Sequence, residues 1–456
     1  METIKINISE TIGGRLDPQF YNYRFNSLID RIKTGDNAKL SKIAKFSSET
    51  WNQKDFWNEI FPYIEISAID TISGDLVEIS QVEKVNAPSR AKKIVRNNDI
   101  LVSTTRPNRG AITLLRMDHN DTMVASTGFA VIRDVSSSVL REYLFIILRQ
   151  NCCLDQMLQR SSGGNYPAIT EEELKKIQIP LPSVKVQNEI VDLYIKVQQK
   201  KQDKDQEAKA LIKSIDCYLL EQIGVSIPET PERQTIFKVN ISQILGQRFD
   251  TSFYKYRFEL SSSIYPHKKL ADVVQINPSV DFKSFSKDDE ISFIPMDVID
   301  EKLGIISQSE ITTVSKIQGF TKFSEGDLLW AKITPCMQNG KSAIARNLKN
   351  GVGCGSTEFF VMRPKNDKIS IEYVYCLLRH HKVLEAAKNS FGGSAGQQRV
   401  SSGYLKSIII PLPPIEKQIE IAESIMMRKI AIIRLQQEIS DILCSAKLEI
   451  EKILFG

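Results

Sequence analysis

The sequence is poor in the residues that build metal centres and disulfide scaffolds. Its 456 residues include four His and seven Cys, and no two Cys stand at the C-x-x-C spacing. The number of Cys is odd, which does not suit a disulfide framework. Without a recurrent Cys or His spacing, a tetrahedral zinc site has no visible set of ligands. We therefore expect neither a disulfide scaffold nor a metal site.

Long apolar runs are also missing. No window approaches the roughly 18 consecutive apolar residues of a transmembrane helix. The first residues, METIKINISETIGGRLD, lack the cationic start and apolar stretch of a secretory signal peptide. These absences predict a soluble, cytoplasmic protein that does not enter a membrane.

Charge of one sign does not dominate the chain. Lys and Arg together number 60 against 55 Asp and Glu, which gives a net charge of +5. Charged residues make up 25% and apolar residues 42% of the sequence, as in ordinary globular proteins. This composition excludes fibrous and disordered chains, and the length indicates two or three domains. The small positive charge does not by itself identify a nucleic-acid-binding protein.

The chain contains the same unit twice. Residues 13–25 (GGRLDPQFYNYRF) and 246–258 (GQRFDTSFYKYRF) agree at eight of thirteen positions. Four further pairs of segments follow in the same order at offsets of 228 to 231 residues: 98–101 and 326–329, 126–129 and 356–359, 161–164 and 390–393, and 179–182 and 410–413. The whole sequence is therefore a tandem duplication of a unit of about 230 residues.

Each unit has the same order of local patterns. Short apolar runs between Gly, Asn and Asp, such as 61–69 and 291–299, predict strands. Helical segments follow at 140–150 and 371–388. A glycine-rich loop, an extended I-P-L-P segment and a long helix close each unit. The sequence therefore predicts an α+β fold that occurs twice, each copy followed by a long helix.

The two long helices begin after Pro182 and Pro414, and neither contains an internal Pro or Gly. Apolar residues recur at spacings of three and four along both. A helix of about 40 residues is about 60 Å long and cannot bury its apolar stripe locally. We expect the two helices to pair as an antiparallel coiled coil. The alternative is that each helix packs on its own domain.

Charge is unevenly divided between the helices and the rest of the chain. Residues 183–222 carry seven basic and seven acidic side chains, and residues 415–456 carry six and seven. The excess of positive charge therefore lies outside the helices. This distribution suggests neutral scaffold helices between mildly basic domains.

Catalytic motifs are not recognisable. The segment 17–20 (DPQF) is close to the D-P-P-Y motif of amino-methyltransferases, but its copy at 250–253 (DTSF) has no proline. Gly340-Lys341-Ser342 resembles the end of a phosphate-binding loop, yet Pro335 occupies the position of the required first glycine. No nucleophile-and-base arrangement recurs between the copies. We therefore expect a protein that is not an enzyme and binds no cofactor.

Two families of polar loops occupy matching positions in the two copies. They are rich in Arg, Lys, Asn and Gln, whose side chains bind base edges and phosphates. The alternative is that these are ordinary polar turns. The candidate DNA-binding residues are Arg106, Asn108, Arg109, Asn165, Tyr166, Lys332, Gln338, Asn339, Lys341, Gln397, Gln398 and Arg399. Of these, we expect Arg106, Arg109, Asn165 and Tyr166 to contact one half of a DNA site and Lys341, Gln397, Gln398 and Arg399 to contact the second half.

The ends of the two copies carry a family resemblance. Residues 163–191 (GGNYPAITEEELKKIQIPLPSVKVQNEIV) and 392–422 (GGSAGQQRVSSGYLKSIIIPLPPIEKQIEIA) resemble the junctions in specificity subunits of type I restriction-modification systems. Gly326-Asp327-Leu328-Leu329 and Ser356-Thr357-Glu358-Phe359 resemble further landmarks of that family. Two departures are visible: Asn98 replaces the turn glycine, and Ser183-Val184-Lys185 stands where the second copy has Pro414-Ile415-Glu416.

The resemblance implies a domain plan and a function. It divides the chain into a first target recognition domain (1–182), a central spacer helix (183–225), a second target recognition domain (226–413) and a C-terminal spacer helix (414–456). Each domain would recognise half of a bipartite double-stranded DNA site, and the helices would set the gap. The implied partners are two adenine-methyltransferase subunits, which use S-adenosylmethionine, and ATP-dependent restriction subunits. A specificity chain of a related type II or phage-defence methyltransferase system would share these features, and a scaffold without DNA contact is a further alternative.

Overall fold

A computed structural model describes residues 18–52, 54, 59–116, 122–225, 260, 262–391 and 398–456. The chain forms two compact units. The first unit comprises Met1–Asp205 with Gln436–Gly456, and the second comprises Gln206–Leu435. Residues 13–17 of the repeated segment 13–25 lie outside the described residues, and its copy at 246–258 lies wholly outside them. The domain boundaries inferred from the family resemblance remain a prediction.

The strands of the first unit form two four-stranded sheets and one short pair. The described part of this unit contains β1 (Asn37–Lys39), β2 (Ala44–Phe46), β3 (Ile60–Ile64), β4 (Ser80–Glu83), β5 (Ala91–Val95), β6 (Ile100–Ser103), β7 (Ile112–Leu114), β8 (Met123–Ser126), β9 (Phe129–Val135) and β10 (Gln178–Pro180). The strand orders are β2-β9-β6-β7, β4-β3-β8-β5 and β1-β10. Strands β3 and β8 are parallel, and the other pairs are antiparallel.

The second unit repeats this topology strand for strand. Its described strands are β11 (His267–Lys269), β12 (Val274–Ile276), β13 (Glu290–Ile294), β14 (Glu310–Thr313), β15 (Thr321–Ser324), β16 (Leu328–Ala331), β17 (Ser342–Ile344), β18 (Val352–Gly355), β19 (Phe359–Pro364) and β20 (Ile409–Pro411). The orders are β12-β19-β16-β17, β14-β13-β18-β15 and β11-β20, and the β13–β18 pair is parallel. The predicted duplication of an α+β unit is confirmed.

Strands β6 and β16 occupy matching central positions in the two units and have similar apolar sequences. All four residues of β6 and of β16 are buried, as expected for strands covered on both faces. The turn before each strand needs a left-handed backbone, with φ of 69° at Asn98 and 83° at Gly326. Asn is enriched in that conformation among residues with a side chain. This is why Asn98 can replace the glycine of the second copy.

The described helices are α1 (Tyr23–Lys33), α2 (Leu40–Ile43), α3 (Arg141–Leu148), α4 (Asn151–Gln159), α5 (Glu171–Leu174), α6 (Val184–Gln222), α7 (Leu270–Val273), α8 (Ile371–Arg379), α9 (His381–Asn389), α10 (Ser402–Ser407) and α11 (Ile415–Phe455). The helical segment expected at 371–388 is two helices. The backbone breaks at His380, where φ is −59° and ψ is 132°, and the His380 side chain accepts a hydrogen bond from the N–H of Lys382. Among the described residues, no helix is both long and apolar enough to cross a membrane.

The long helices α6 and α11 run antiparallel where they pair, and each unit contains half of both. In the first unit Val197 packs with Leu443 and Ala446. In the second unit Ala208 packs with Ile432 and Leu435. The predicted antiparallel pairing of the two helices is confirmed.

The same helices also pack on the cores of their units. Ile190 and Ile450 belong to the largest apolar core of the first unit. Leu219, Ile421 and Ile425 belong to the largest core of the second. From the sequence, pairing of the two helices with each other and packing of each helix on its own domain were alternatives. In the structure the helices do both.

Candidate nucleic-acid interface

Each unit brings two of the candidate loops together. We call the loop after β6 or β16 the strand loop (residues 103–110 and 332–341). We call the loop after α4 or α9 the glycine loop (residues 160–169 and 390–400). Residues 392–397, including Gln397, lie outside the described part of the second glycine loop.

Backbone hydrogen bonds join the loops of the first unit. The N–H of Arg106 donates to the carbonyl oxygen of Pro167 at 2.7 Å. The N–H of Ile169 donates to the carbonyl oxygen of Thr104 at 2.9 Å. The strand loop and the glycine loop therefore form one continuous surface, and their side chains are held next to each other.

The second unit makes the same two bonds. The N–H of Val400 donates to the carbonyl oxygen of Lys332 at 2.9 Å, and the N–H of Thr334 donates to that of Gln398 at 3.0 Å. These four residues occupy positions that match those of the first unit. The duplication has therefore preserved the pairing of the loops while their side chains have diverged.

Arg106 and Tyr166 form the centre of the first pair of loops. The Arg106 backbone is left-handed, with φ of 48° and ψ of 52°. Its guanidinium carbon lies 4.2 Å from the centre of the Tyr166 ring, and Nη2 donates to the carbonyl oxygen of Asn165 at 3.2 Å. Tyr166 is nonetheless 70% exposed. An aromatic ring held by an arginine and open to solvent provides a surface on which a base or sugar can pack.

Asn108 and Arg109 lie on the neighbouring 3₁₀ turn, Pro107–Arg109, and both side chains are exposed. In the described part of the chain, neither side chain has a hydrogen-bond or ion-pair partner. Asn165 is also exposed. The polar groups of these side chains are therefore available to a ligand at the surface.

Each strand loop is held by an arginine that is buried in the first unit and half-buried in the second, and we call this contact the arginine clamp. Arg149 donates from Nη1 to the carbonyl oxygen of Gly110 at 3.1 Å and from Nη2 to that of Ile72 at 2.7 Å. In the second unit Arg379 donates from Nη1 to the carbonyl oxygen of Gly340 and binds the turn at residues 301–302. The clamp fixes the end of each strand loop to a second turn of the same unit.

A matched glycine leaves room for each clamp. A Cβ atom at Gly74 would lie 2.3 Å from Nη1 of Arg149, and one at Gly304 would lie 2.5 Å from Nη1 of Arg379. Both glycines also have positive φ, 82° and 68°. The clamp was not predicted from the sequence, although each arginine and each glycine recurs at an offset of 230 residues. That recurrence of a charged residue together with a glycine is the pattern that could have revealed it.

Two candidate side chains of the second strand loop have partners within the protein. Nδ2 of Asn339 donates to Oε2 of Glu301 at 2.9 Å. Nζ of Lys341 donates to the carbonyl oxygen of Met296 at 3.1 Å and is partly buried. These contacts fix the orientation of both side chains before any ligand binds.

Three more candidates of the second unit are described by the structure. Nζ of Lys332 is 5.6 Å from the centre of the Phe360 ring. Gln338 and Gln398 are half-buried, and the backbone of Gln398 pairs with the strand loop. All three lie in the paired loops of the second unit.

Arg399 forms an ion pair with Glu358. Its Nε and Nη2 donate to both carboxylate oxygens of Glu358 at 2.8 to 3.1 Å. These hydrogen bonds, with help from the charge of Lys332, lower the pKa of Glu358 below its ordinary value although burial opposes the shift. In the first unit the matching positions hold Gly128 and Ala168. The ion pair is therefore a feature of the second unit, where it fastens the glycine loop.

The two surfaces consequently differ in charge. In the described part of the first unit, Arg106 and Arg109 have no carboxylate partner, whereas Glu301 and Glu358 neutralise part of the second surface. Cations and amide groups in this arrangement suit an anionic ligand with polar edges.

An ion pair between a buried aspartate and a half-buried arginine supports each surface from within its unit. Asp99, which is 2% exposed, accepts hydrogen bonds from Nε and Nη2 of Arg133 at 3.1 and 2.9 Å. Asp327, which is 1% exposed, accepts two bonds of 2.7 Å from Arg363. These hydrogen bonds raise the pKa of both guanidinium groups. The pairs lie at the turns before β6 and β16, so they position the strands that end in the strand loops.

A glutamine attaches each long helix to its unit. Oε1 of Gln187 accepts from the N–H of Leu140 at 2.9 Å, and its Nε2 donates to the carbonyl oxygen of Pro182 at 3.0 Å. Gln418 makes the same contacts with Ser370 and Pro413 at 2.9 and 2.8 Å. This explains why a glutamine recurs in the first turn of both helices.

Comparison with known families identifies the repeat. The family model described as type I restriction modification DNA specificity domain matches residues 33–203 and again residues 265–444. These matches cover more than half of the chain and correspond to its two copies. The chain belongs to the family of type I restriction-modification specificity subunits. Because such specificity subunits are DNA-recognition components rather than catalytic ones, the prediction that the chain is not an enzyme is confirmed.

Curated relatives match part of this specificity chain. The type I restriction enzyme EcoAI specificity subunit of Escherichia coli is 39% identical over 150 residues, which is 33% of this chain and 25% of the relative. The EcoEI specificity subunit of the same species is 35% identical over 153 residues, with the same coverage. The aligned region thus spans about a quarter of the length of these two relatives.

A solved structure has the same fold as this specificity chain over nearly its whole length. It is described as "Structural basis underlying complex assembly and conformational transition of the type I R-M system" and gives a TM-score of 0.50 at 20% identity. The match covers 92% of this chain and 96% of that one. At this identity the likeness supports the fold alone.

Proposed function

We propose that this specificity chain recognises a bipartite double-stranded DNA target, and that each unit contacts one half of it. The observation that carries the proposal is the pairing of a strand loop with a glycine loop by the same two backbone hydrogen bonds in both units. Both pairs of loops carry Arg or Lys together with Asn or Gln, the side chains that bind base edges and phosphates. A preserved backbone with divergent side chains suits two surfaces with different half-sites.

In the first unit, the proposed contacts are Arg106, Asn108, Arg109, Asn165 and Tyr166. The exposed guanidinium of Arg109 is suited to a phosphate or to the edge of a guanine. The stacked pair of Arg106 and Tyr166 offers a cation and a ring at one place, so it is suited to a deoxyribose or an exposed base face.

In the second unit, the proposed contacts are Lys332, Gln338, Asn339, Lys341, Gln397, Gln398 and Arg399. Glu358 and Glu301 orient Arg399 and Asn339, which reduces the entropy that these side chains would lose on binding. The arginine is thereby held as a planar donor at the junction of the two loops. This surface therefore depends on preorganised side chains more than on net positive charge.

Two half-sites are needed for selectivity. A half-site of three or four base pairs recurs by chance about every 64 to 256 base pairs, and each correct base pair is worth roughly 1 to 3 kcal/mol. When both half-sites are required, the probability that a site occurs by chance is the product of the two separate probabilities. A tandem duplication of one recognition unit supplies this second requirement directly.

The long helices are proposed to set the distance between the half-sites. Helix α6 has 39 residues and would be about 58 Å long at 1.5 Å per residue. In each unit the half of α6 pairs with the half of α11 through buried apolar side chains. A pair of helices resists bending better than one, so the gap is held at a constant length.

Matched grooves beside the helices support a role for two copies of one partner. The groove of the first unit, about 730 Å³, is lined by Phe145 and by Ile195, which is 57% exposed. The groove of the second unit, about 260 Å³, is lined at matching positions by Tyr375 and Met426. Exposed apolar side chains around a groove are typical of protein interfaces. We propose that two adenine-methyltransferase subunits dock there and that ATP-dependent restriction subunits join the assembly.

Under this proposal the cofactors belong to the partners. The methyltransferase subunits would bind S-adenosylmethionine and the target adenine, and the restriction subunits would bind ATP. This chain would supply DNA recognition and the spacing of the two sites. It would act where the cell's DNA is, in the cytoplasm.

The direct test is DNA binding by the chain together with its co-purified partners. The methylated adenine motif of cells that express the gene would first define the two half-sites. Binding to duplexes altered in one half should then be weaker by about 1 to 3 kcal/mol per wrong base pair. Affinity should also fall steeply with salt concentration, because phosphate contacts release counterions. Binding that depends on neither half-site nor salt would contradict the proposal.

A further inference from the structure

A short turn in each unit is bound both by the arginine clamp and by a long helix, and we call it the clamp turn (residues 70–75 and 300–305). In the second unit Nη2 of Arg379 donates to two carbonyl oxygens of this turn, both at 2.9 Å. Nη1 of the same side chain donates to the carbonyl oxygen of Gly340 in the strand loop. One guanidinium therefore holds the clamp turn and the strand loop together.

Helix α11 also binds the clamp turn of the second unit. Nζ of Lys429 donates to the carbonyl oxygen of Leu303 at 3.0 Å and to the Tyr375 hydroxyl at 2.5 Å. That hydroxyl donates to the carbonyl oxygen of Gly304 at 2.7 Å. A continuous series of hydrogen bonds thus connects α11, the clamp turn, Arg379 and the strand loop.

Lys429 lies where a charged side chain is costly. It is 6% exposed, and burial, together with the charge of Arg379, lowers its pKa to about 7. In the described part of the chain, no carboxylate forms an ion pair with its Nζ. Burying an amine without an ionic partner costs free energy, so an apolar side chain would fill this space at lower cost. What a lysine provides here is the pair of hydrogen bonds to the clamp turn and to Tyr375.

The first unit connects its long helix to its clamp turn with other side chains. Nζ of Lys201, on α6, donates to Oδ2 of Asp75 at 2.8 Å, and Arg149 binds the same turn. The position of α6 that matches Lys429 holds Gln198. The link therefore recurs in both units although residues at different positions of the repeat make it. This recurrence indicates that the link itself has a role.

We propose that Lys429 and Tyr375 are positioning residues for DNA recognition. They hold the clamp turn on α11, and the arginine clamp then fixes the second strand loop relative to that helix. This inference rests on the proposed function, because it takes the strand loop as part of the DNA surface. A loop held in one place loses less entropy on binding and keeps its polar groups aligned with the bases of a cognate half-site. Without the link, the loop would still contact phosphates, but it would distinguish bases less sharply.

The first test is Tyr375→Phe in the full chain with its co-purified partners. This variant removes the hydroxyl that joins Lys429 to Gly304. The first unit has Phe145 at the matching position, so the fold accepts the ring. Discrimination between cognate and altered second half-sites in duplex binding should fall about threefold to tenfold, the contribution of one hydrogen bond. Discrimination in the first half should stay at the wild-type value.

Tyr373→Phe is the matched control. Tyr373 is also a buried tyrosine of α8, but its hydroxyl donates to the carbonyl oxygen of Pro411 at 3.0 Å and not to the clamp turn. This variant should leave discrimination in both halves unchanged. Partner affinity is measured in parallel, because Tyr375 also lines the groove of the second unit. A loss of partner affinity without a loss of base discrimination would contradict the positioning role.

A second variant reports on the loop itself. Lys429→Met keeps most of the length of the side chain and removes both of its donated hydrogen bonds. Hydrogen exchange should become faster in residues 300–305 and 332–341, and it should not change in residues 267–276. Adding Tyr375→Phe to Lys429→Met should reduce discrimination no further, because both residues act through the same turn.

The outcomes separate this inference from the proposed function. Weaker second-half discrimination together with faster exchange in the clamp turn and the strand loop would support the positioning role. Wild-type discrimination in both Tyr375→Phe and Lys429→Met, or an equal loss with Tyr373→Phe, would overturn it while the proposed function stands. A wild-type chain that does not distinguish second half-sites would overturn both.

Discussion

The guanidinium carbon of Arg106 lies 4.2 Å over the ring of Tyr166, and this contact joins the strand loop to the glycine loop of the first unit. Arg106 belongs to the strand loop and Tyr166 to the glycine loop, and two backbone hydrogen bonds join these loops. The arrangement provides a positive charge and an exposed ring, and within the described residues no carboxylate pairs with this guanidinium. Both side chains belong to the surface that we propose to contact DNA.

Replacing Arg106 with lysine tests whether the stacked geometry matters. Arg106→Lys keeps the positive charge but loses the planar group that stacks on Tyr166. We expect the variant to bind the cognate duplex about tenfold more weakly, with little change in the salt dependence. Arg106→Ala should lose more affinity and also lower the salt slope by about 1. Equal affinities for the wild type and the lysine variant would show that only charge is used.

The ion pair of Glu358 and Arg399 predicts a pH effect on stability. The folded-state pKa of Glu358 is lowered from its ordinary value of 4.5, so its contribution is present above that pH. It is lost as the pH falls through the folded-state pKa. Glu358→Gln should therefore lower the free energy of unfolding by about 0.5 kcal/mol at pH 7, since Arg399 is partly exposed. The difference from wild type should disappear at pH values below the lowered pKa.

The first unit suggests the control for this experiment. The double variant Glu358→Gly, Arg399→Ala places in the second unit the residues that the first unit has at the matching positions, Gly128 and Ala168. We expect the two changes together to cost no more stability than Glu358→Gly alone, because the positive charge that the carboxylate neutralised is removed with it. Chemical denaturation at several pH values would measure both effects. A pH-independent difference for Glu358→Gln would contradict the assignment.

The buried aspartates should matter much more for stability. Asp327→Asn leaves the Arg363 guanidinium without its ionic partner in a site where the carboxylate is 1% exposed. We expect a loss of roughly 3 kcal/mol in the free energy of unfolding. Glu372→Gln, which breaks the exposed pair with Arg346, should cost less than about 1 kcal/mol. Similar losses for the two variants in denaturant titrations would show that burial does not control these pairs.

The long helices predict how the spacing of the target depends on length. Deleting residues 200–206 of α6 together with 433–439 of α11 removes one heptad from each helix. The helices should shorten by about 10 Å, or about three base pairs of DNA. The methylated motif should then keep both half-sites but have a shorter gap. An unchanged gap would show that the helices do not set it.

Much of the fold could be predicted because the duplication provides an internal comparison. The recurrence of Asp99 at Asp327 and of I-P-L-P at both helix starts indicated the repeated unit before any contact was known. The apolar spacing after Pro182 and Pro414 indicated the paired helices. These features are local in sequence, so periodicity and turn chemistry are sufficient to find them.

The remaining features depend on long-range contacts. Arg149 and Gly74 are distant in sequence. Only the folded structure places the Arg149 guanidinium in the space that a Cβ atom at position 74 would occupy. Arg399 was expected to contact DNA, and the sequence did not reveal that Glu358, in the turn before β19, also binds its side chain. The break at His380 arises because this residue caps the following helix, and the spacing of apolar residues does not predict it. Which base each loop residue contacts is likewise not determined by residue type.

The most direct test of the central claim is the methylated motif of cells that express Arg109→Ala. If each unit contacts one half of the target, the base preference of a single half should relax, while the other half and the gap stay unchanged. Arg96→Ala, which removes an equal charge from a residue paired with Glu49, should leave the whole motif unchanged. Relaxation of both halves, or an unaltered motif with Arg109→Ala, would contradict the assignment of one half-site to the loops of the first unit.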